Sequence, residues 1–117
     1  MTDTRLLLCT DLDRTLIPNG EQPESPGARE LFHRLVRQPN VTLAFVTGRH
    51  RELVQDAIDS YQLPQPDYVI ADVGSTIYEI KAGNWARWER WEQELGMSWG
   101  PDTRSQIQSL FSAFAGL

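Results

Sequence analysis

The sequence predicts an α/β protein with a Rossmann-like three-layer α/β/α arrangement around a parallel sheet. Three observations predict this class. Short apolar runs recur along the first 71 residues, helix-spaced apolar residues separate these runs, and polar residues follow each run directly. Because strand–helix alternation of this kind is connected by right-handed crossovers, it indicates that the strands lie parallel in one sheet.

The first strand and helix are predicted within residues 5–36. Residues 5–10, RLLLCT, form an uninterrupted apolar run, which is typical of a strand buried on both faces. Residues 11–23 collect Asp, Pro, Asn and Gly and are predicted to form a loop. Ser25 as N-cap and Pro26 in the first turn indicate that a helix begins there. Its helix-spaced apolar residues predict one buried stripe, formed by Ala28, Leu31, Phe32, Leu35 and Val36.

The second unit repeats this plan. Residues 41–46, VTLAFV, predict a strand, and the tripeptide TGR follows it at once. The segment that follows the TGR tripeptide ends at prolines, and residues 68–71 then predict the third strand. Between them, a second amphipathic helix is predicted from the spacing of its apolar residues, Leu53, Val54, Ala57, Ile58 and Tyr61.

The pattern changes after the third strand. Residues 76–80 alternate in polarity, the turn sequence KAGN follows, and residues 85–88 return, so a β-hairpin is predicted. Pro101 opens a last helix, whose apolar residues recur at helical spacing at Ile107, Leu110, Phe111 and Phe114. We therefore expect one domain, with a βαβαβ core at residues 1–75 and a hairpin and helix at residues 76–117.

The composition limits the class of protein. A chain of 117 residues fits one domain, and a net charge of −5 argues against a nucleic-acid-binding protein, which usually has a basic face. Cys9 is the only cysteine, so no intramolecular disulfide forms, and its apolar surroundings predict a buried side chain. No apolar run approaches the roughly 20 residues that span a bilayer, and no signal segment opens the sequence. We expect a cytoplasmic protein without a membrane partner.

Three polar loops follow the three predicted strands, at residues 11–15, 47–49 and 72–75. In an open α/β sheet, ligands collect beyond the carboxyl ends of the strands. Because the loops come from consecutive βα units, they can converge on one pocket that holds carboxylates, hydroxyls and glycines. This set suits a phosphate group and a divalent cation.

Asp11 and Asp13 are separated by one residue, so both carboxylates can reach a single point. Mg²⁺ prefers such oxygen ligands and keeps several waters. One carboxylate can bind the metal ion and attack phosphorus, while the other protonates the leaving oxygen and later activates water. The alternative is that both are loop-forming Asx-turn residues. Their position directly after a buried strand, with Thr15 following and Thr-Gly after the next strand, favours the catalytic interpretation.

Two of these loops resemble known motifs. The sequence DLDRTL at residues 11–16 resembles the first motif of the haloacid dehalogenase superfamily of phosphohydrolases, and the strand ending in VTGR at residues 46–49 resembles its second motif. This resemblance covers roughly residues 5–80. The Thr-Gly-Arg form and the hairpin after the third strand resemble the branch with a large α/β cap. Within it, DYVIADVGS at residues 67–75 and the Trp-rich stretch after it are most similar to sucrose-phosphate phosphatases.

The resemblance implies a role for each loop residue. Asp11 is expected to be the nucleophile and a metal ligand, and Asp13 the general acid/base, contributing its backbone carbonyl to the Mg²⁺ cofactor. Thr47 is expected to bind the phosphate of a small-molecule phosphate ester, with help from the Gly48 amide. Arg49 either binds a sugar or phosphate oxygen or faces solvent at a helix start.

Smaller roles remain open for the other loop residues. Gly74 and Ser75 either border the substrate pocket or form a plain turn. Thr15 is expected to brace its loop rather than contact substrate. The four tryptophans are Trp85, Trp88, Trp91 and Trp99. They could stack on a sugar ring, but the large area that each tryptophan buries favours packing on the hairpin.

The sequence also departs from the superfamily pattern. That pattern has a lysine that steadies the aspartyl-phosphate and a later acidic motif that completes the metal site. Lys81, the only lysine, is predicted to be a solvated hairpin residue, and Asp102 stands alone as a helix-start charge. We therefore expect an incomplete core, the amino-terminal part of a longer enzyme, with little or no activity of its own. An incomplete sheet would expose edges that pair with another chain, so self-association is expected.

Three classes of function follow from these observations. The first is a Mg²⁺-dependent phosphatase that acts on a sugar phosphate. The second is a phosphoacceptor signalling domain, which would need an acidic pair after the first strand and the acceptor aspartate after the third. The third is a non-catalytic fragment that binds a partner.

Overall fold

Helices and strands alternate along the chain, which a computed structural model describes for residues 4–18, 20, 23–99 and 104–114. The order confirms the predicted α/β class. The strands are β1 (Leu6–Thr10), β2 (Val41–Val46), β3 (Tyr68–Ala71), β4 (Thr76–Lys81) and β5 (Asn84–Arg87). The helices are α1 (Ala28–Val36), α2 (Arg51–Ser60), α3 (Glu89–Trp99) and α4 (Arg104–Phe111), and a single 3₁₀ turn covers Asp72–Gly74.

All five strands form one mixed sheet in the order β1-β2-β3-β4-β5. The β1–β2 and β2–β3 pairs are parallel, as predicted, with Cys9 opposite Ala44 and Val46 opposite Ile70. The predicted hairpin joins this same sheet, because β4 pairs antiparallel with β3 and with β5. The carboxyl ends of β1, β2 and β3 therefore lie along one edge, together with the loops that follow them.

Helices α1 and α2 lie on the same face of the sheet, as crossovers of one hand require for sequential parallel strands. They meet where α2 ends. Arg29 of α1 donates a hydrogen bond to the Tyr61 carbonyl, and His33 Nε2 lies 2.9 Å from the Gln62 carbonyl oxygen. These contacts fix α1 against the end of α2 that is remote from the three loops.

The hydrophobic core is centred on β2, where Leu43, Ala44 and Phe45 are all buried. Helix α2 buries Val54, Ala57 and Ile58 against it, as its apolar spacing predicts. The core also takes one residue pair from the loop after β1, Leu12 and Ile17, which are 0% and 1% exposed. A loop with two buried anchors cannot move independently of the sheet.

Strand β1 corrects one prediction. We predicted burial on both faces, but Leu6 and Leu7 are 44% and 62% exposed, and Cys9 is exposed as well. The reason is that β1 stands at the edge of the sheet, and within the described residues it pairs only with β2. An apolar run predicts a strand, but it does not show how many other strands or helices cover that strand.

Helix α1 also differs from its prediction. It begins at Ala28 rather than at the Ser25–Pro26 step, and its N-cap is Gly27, with φ +77° and no side-chain cap. Of the predicted buried stripe, Phe32 and Val36 pack against the core. The remaining members are exposed, namely Ala28, Leu31 and Leu35.

The hairpin confirms the predicted turn. Ala82 and Gly83 both have positive φ, at +52° and +80°, and Lys81 pairs with Asn84, which is the geometry of a two-residue type I′ turn. Lys81 forms an ion pair with Glu79 at 3.0 Å and its side chain is 81% exposed. Because β4 runs antiparallel to β3, this turn lies at the opposite end of the sheet from the three loops.

Helix α3 was not predicted, since only a Trp-rich stretch was recognised there. The tryptophans do pack, as expected. Trp85 lies edge-on to Tyr78 and Trp88 edge-on to Tyr68, each with ring centroids 5.5 Å apart. Trp91 donates from Nε1 to the Gly74 carbonyl at 2.9 Å. The Trp99 side chain, Pro101 and Asp102 lie outside the described residues.

In the described part of the chain, no helix has the length and apolar character needed to cross a membrane.

The core position of β2 yields a stability prediction. Replacing Leu43 by Ala removes a side chain that is 2% exposed, so we expect the free energy of unfolding to fall by about 2–5 kcal/mol. Leu31→Ala is the matched control, because Leu31 is 63% exposed and its loss should change stability by about 0.5 kcal/mol or less. Denaturant unfolding of both variants measures the difference. Equal losses would contradict a core centred on β2.

Candidate active site

The loops after β2 and β3 continue the sheet's hydrogen bonding beyond the strands. The Thr47 amide donates to the Ile70 carbonyl at 2.9 Å, and the Asp72 amide donates to the Arg49 carbonyl at 3.1 Å. Thr47 itself is 5% exposed and is the buried polar residue of the core region. The two loops therefore form one connected segment of backbone.

The loop after β1 is a tight turn built on Leu12. Its carbonyl accepts hydrogen bonds from the Thr15, Leu16 and Ile17 amides at 3.2, 3.0 and 2.9 Å. Arg14 adopts a left-handed conformation with φ +59°, which lets the chain reverse and form the Asp13–Ile17 bridge. The Thr15 contact is made by its backbone amide while its side chain stays exposed, so the expected bracing by the threonine side chain stays a prediction.

The burial of Leu12 determines where the two aspartates lie. Alternating side chains point to opposite sides of an extended chain, so an apolar residue anchored in the core directs both of its neighbours outward. Asp11 is exposed, and its Oδ1 accepts a hydrogen bond from the Leu12 amide at 2.7 Å. Asp13 is half-buried. Both carboxylates consequently lie at the edge of the sheet without the cost of full burial.

Arg49 joins the loop after β1 to the loop after β2. Its Nη2 lies 2.6 Å from Asp13 Oδ1 and its Nε lies 3.0 Å from Asp13 Oδ2, so the guanidinium binds both carboxylate oxygens. The hydrogen bond with Asp13 raises the pKa of Arg49 further above its ordinary value. Sequence reasoning missed this pair. Its only sequence signal is the opposite charge of two residues in adjacent loops.

Thr47 and Gly48 present polar groups beside this pair. The Thr47 hydroxyl oxygen accepts from the Arg49 amide at 3.1 Å, which leaves the hydroxyl proton for an acceptor. At Gly48, an added Cβ would lie 3.6 Å from Val73 Cγ2, an ordinary contact. Space alone therefore does not require glycine, and any role of Gly48 rests on its amide.

The loop after β3 has an unusual backbone. Asp72, Val73 and Gly74 all have positive φ, at +51°, +57° and +91°. Such conformations are costly for a β-branched residue and persist only where surrounding contacts fix them. Ser75 provides one contact, since its Oγ donates to the Asp72 carbonyl at 2.8 Å, and Trp91 holds the Gly74 carbonyl from α3. Gly74 and Ser75 thus form a tight turn beside the other two loops.

The residues fit part of a Mg²⁺ site. The Asp11 carboxylate and the Asp13 carbonyl are hard oxygen donors of the kind that Mg²⁺ prefers. Across residues 4–18, 20, 23–99 and 104–114, however, no cluster of three or more His, Cys, Asp or Glu side chains could hold a metal ion. These residues would supply two ligands, and a complete shell would need waters or further groups.

Comparisons with known proteins identify relatives of this chain. A putative haloacid dehalogenase-like hydrolase from Nitrosococcus oceani is 48% identical over 108 residues, which are 92% of this chain and 29% of that protein. A mannosylfructose-phosphate phosphatase from Agrobacterium fabrum is 29% identical over 111 residues, 95% of this chain and 42% of that protein. The chain therefore spans less than half the length of these relatives.

A solved structure shows the same fold. The sucrose-phosphatase from Synechocystis sp. PCC6803, in complex with sucrose and phosphate, superposes with a TM-score of 0.69 at 26% identity. The match covers 96% of this chain and 41% of that protein. The sequence model of the family described as Sucrose-6F-phosphate phosphohydrolase matches residues 4–117. The chain belongs to this family of haloacid dehalogenase-like phosphohydrolases.

Proposed function

We propose that this chain supplies the nucleophile, acid/base and phosphate-binding residues of a Mg²⁺-dependent phosphatase that hydrolyses a disaccharide phosphate. The observation that carries the proposal is the joining of three loops at the carboxyl edge of β1, β2 and β3. Arg49 contacts one residue from each of the three loops, namely Asp13, Thr47 and Asp72. Ligand sites in open α/β sheets form at this edge.

The proposed reaction has two steps on the side chains of this chain. An Asp11 carboxylate oxygen attacks phosphorus, the ester bond to the sugar oxygen breaks, and Asp13 gives that oxygen a proton. Water then attacks the phosphorus of the aspartyl-phosphate, Asp13 takes its proton, and Asp11 is released with inorganic phosphate. The Thr47 hydroxyl and Gly48 amide donate to phosphoryl oxygens, whose charge grows in both transition states. A bound Mg²⁺ ion supplies further neutralisation of that charge.

The substrate class rests on the relatives. The family is named for the hydrolysis of sucrose 6F-phosphate, and one relative is named a mannosylfructose-phosphate phosphatase. The solved relative is a complex with sucrose and phosphate. Each name denotes a disaccharide of which one half is fructose, so we propose a phosphate monoester of such a disaccharide as substrate. The family match gives no support to the phosphoacceptor alternative.

We further propose that the site is completed by groups outside these 117 residues. Lys81 lies at the far end of β4 and pairs with Glu79, so it is not placed to contact a phosphoryl group at the loops. The metal ligands described above are two oxygen donors. We therefore expect hydrolysis by this chain alone to be weak.

The nucleophile assignment is tested by Asp11→Asn. An amide is a far poorer nucleophile than a carboxylate, so phosphate release from p-nitrophenyl phosphate and from sucrose 6-phosphate should fall by about 100-fold or more. The assay measures Mg²⁺-dependent phosphate release.

Asp56→Asn is the matched control, because Asp56 is an exposed residue of α2 and the change of charge is the same. Its release rate should stay near that of the unmodified chain. Release that persists in Asp11→Asn would overturn the nucleophile assignment.

The phosphate-binding role is tested by Thr47→Val, which keeps the side-chain shape and removes the hydroxyl. Loss of a hydrogen bond to a charged group costs about 1.5–3 kcal/mol, so affinity for inorganic phosphate should fall about 10- to 100-fold. Titration calorimetry or amide shifts measure this affinity. Thr42→Val, the same change within β2, is the control and should bind phosphate as before. Equal affinities in both variants would contradict the role of Thr47.

Self-association through the edge of β1 is the third proposal. Leu6 and Leu7 are exposed on a strand whose outer edge is unpaired within the described residues, and such edges template further strand pairing. Leu7→Lys should lower the association seen in sedimentation velocity, because a charged lysine blocks edge pairing. Leu31→Lys places the same charge on exposed α1 and should have a smaller effect. A chain that stays monomeric at all concentrations contradicts this proposal.

A further inference from the structure

We propose that Arg49 is a positioning residue that fixes the carboxylate of Asp13 in one orientation and holds the three site loops in register. This inference rests on the proposed function, because it gives Asp13 the acid/base role. It assigns Arg49 a different task from the substrate contact that its sequence position suggested. The geometry of the ion pair, the anchoring of Arg49 and the remaining ion pairs each support it.

The geometry of the pair is specific. The two contacts, Nη2–Oδ1 at 2.6 Å and Nε–Oδ2 at 3.0 Å, engage both oxygens of Asp13 through one planar edge of the guanidinium. A two-point contact between planar groups fixes the angle between them as well as their distance. A lysine ammonium, which is a single point of charge, could satisfy the charge without fixing that angle. The arrangement therefore restrains the rotation of the Asp13 side chain.

Arg49 is itself anchored at its backbone. Its amide donates to Thr47 Oγ1 at 3.1 Å, and its carbonyl accepts from the Asp72 amide at 3.1 Å. The side chain is 23% exposed, less than the 40% of Asp13. Holding both backbone groups fixes the point from which the side chain reaches Asp13, and only the rotamer entropy of the long side chain is lost when the pair forms. Arg49 thus connects the loop after β2, which carries it, to the loops after β1 and β3.

The other arginine–carboxylate pairs show a different pattern. Among the described residues, Arg29 binds Glu24 and Arg87 binds Glu92, each across five residues of sequence. Arg49 and Asp13 are 36 residues apart and lie in two different site loops. Burial does not distinguish the pairs, since the Arg29 and Glu24 side chains are 25% and 43% exposed and those of Arg49 and Asp13 are 23% and 40% exposed. A pair that joins two loops restricts the position of a reacting group. Small displacements of such a group lower the reaction rate steeply.

The inference has a consequence for the substrate. While Nε and Nη2 of Arg49 bind Asp13, they are directed at the protein's own carboxylate rather than at a sugar or phosphate oxygen. Recognition of phosphate then falls to Thr47 and Gly48. Loss of Arg49 should therefore disturb turnover more than substrate binding.

The decisive experiment measures the side-chain rotamer of Asp13 by nuclear magnetic resonance on isotope-labelled protein. Three-bond couplings from Asp13 Cγ to the backbone nitrogen and carbonyl carbon report its χ1 distribution. The unmodified chain should show one dominant rotamer, with an Arg49 Nε–H signal that is lost in Asp13→Asn. Arg49→Met should give averaged couplings at Asp13, and Arg49→Lys an intermediate result. This readout needs no catalytic activity.

Arg34→Met is the matched control, since Arg34 is an exposed arginine of α1. Its Asp13 couplings should equal those of the unmodified chain. Unchanged couplings in Arg49→Met, or averaged couplings already present in the unmodified chain, would overturn the inference. Amide shifts of β2 that stay in place in Arg49→Met show that any averaging is local rather than a loss of fold.

Kinetics provide the second arm, on p-nitrophenyl phosphate with Mg²⁺. Arg49→Met should lower kcat about 10- to 100-fold and leave KM within about threefold, as expected for a group that positions a catalyst. A raised KM with unchanged kcat would instead make Arg49 a substrate contact and would overturn the inference. The rotamer measurement decides the role of Arg49 independently of phosphate release, because the proposed function already expects hydrolysis by this chain alone to be weak.

Discussion

The parallel pairing of β1, β2 and β3 is the constraint on which the candidate site depends. Parallel neighbours place their carboxyl ends at one edge, so residues that are far apart in sequence leave the sheet side by side. Here the ladder continues past the strands, through the Thr47–Ile70 and Asp72–Arg49 hydrogen bonds. The loops are extensions of the sheet rather than free connections. A phosphoryl group at this edge would meet groups that are already held in place.

A second constraint acts within the loop after β1. Leu12 is fully buried and Asp11 and Asp13 flank it, so the core itself orients the two carboxylates. An aspartate pair on a loop without such an anchor would sample many positions. The bidentate pair with Arg49 adds a restraint on Asp13 that does not act on Asp11. Asp11 is held instead by the Leu12 amide, which donates to its Oδ1 at 2.7 Å.

The hairpin and α3 support the site from the side of β3. The backbone at Asp72, Val73 and Gly74 is in the left-handed region, which local preference does not favour for the first two residues. The Trp91 indole binds the Gly74 carbonyl, and α3 packs on β4, which continues from this loop. Strain in the loop is thereby compensated by contacts with the later part of the chain. The region after residue 75 consequently contributes to the site even where its side chains do not line it.

The sequence by itself determined the elements whose signals are local. Apolar runs identified β1, β2 and β3, helical spacing identified α1 and α2, and the KAGN turn identified the hairpin, because each pattern reflects only neighbouring residues. The aspartates and Thr47 were recognised for the same reason, since they directly follow strands. Helix α3 was not predicted, although Trp91, Leu95 and Trp99 recur every four residues, because the tryptophans were assigned to packing on the hairpin and Gly96 interrupts the stretch.

Only the tertiary structure decided which surfaces are covered and which distant residues meet. The exposure of Leu7 depends on the absence of a second neighbour for β1 among the described residues, and no local pattern records that. The exposed stripe of α1 follows from the same edge position. The pairing of Arg49 with Asp13 joins residues 36 positions apart and arises from the register of β1 on β2. Burial and long-range pairing are properties of the packed sheet, so they emerge only when the strands are assembled.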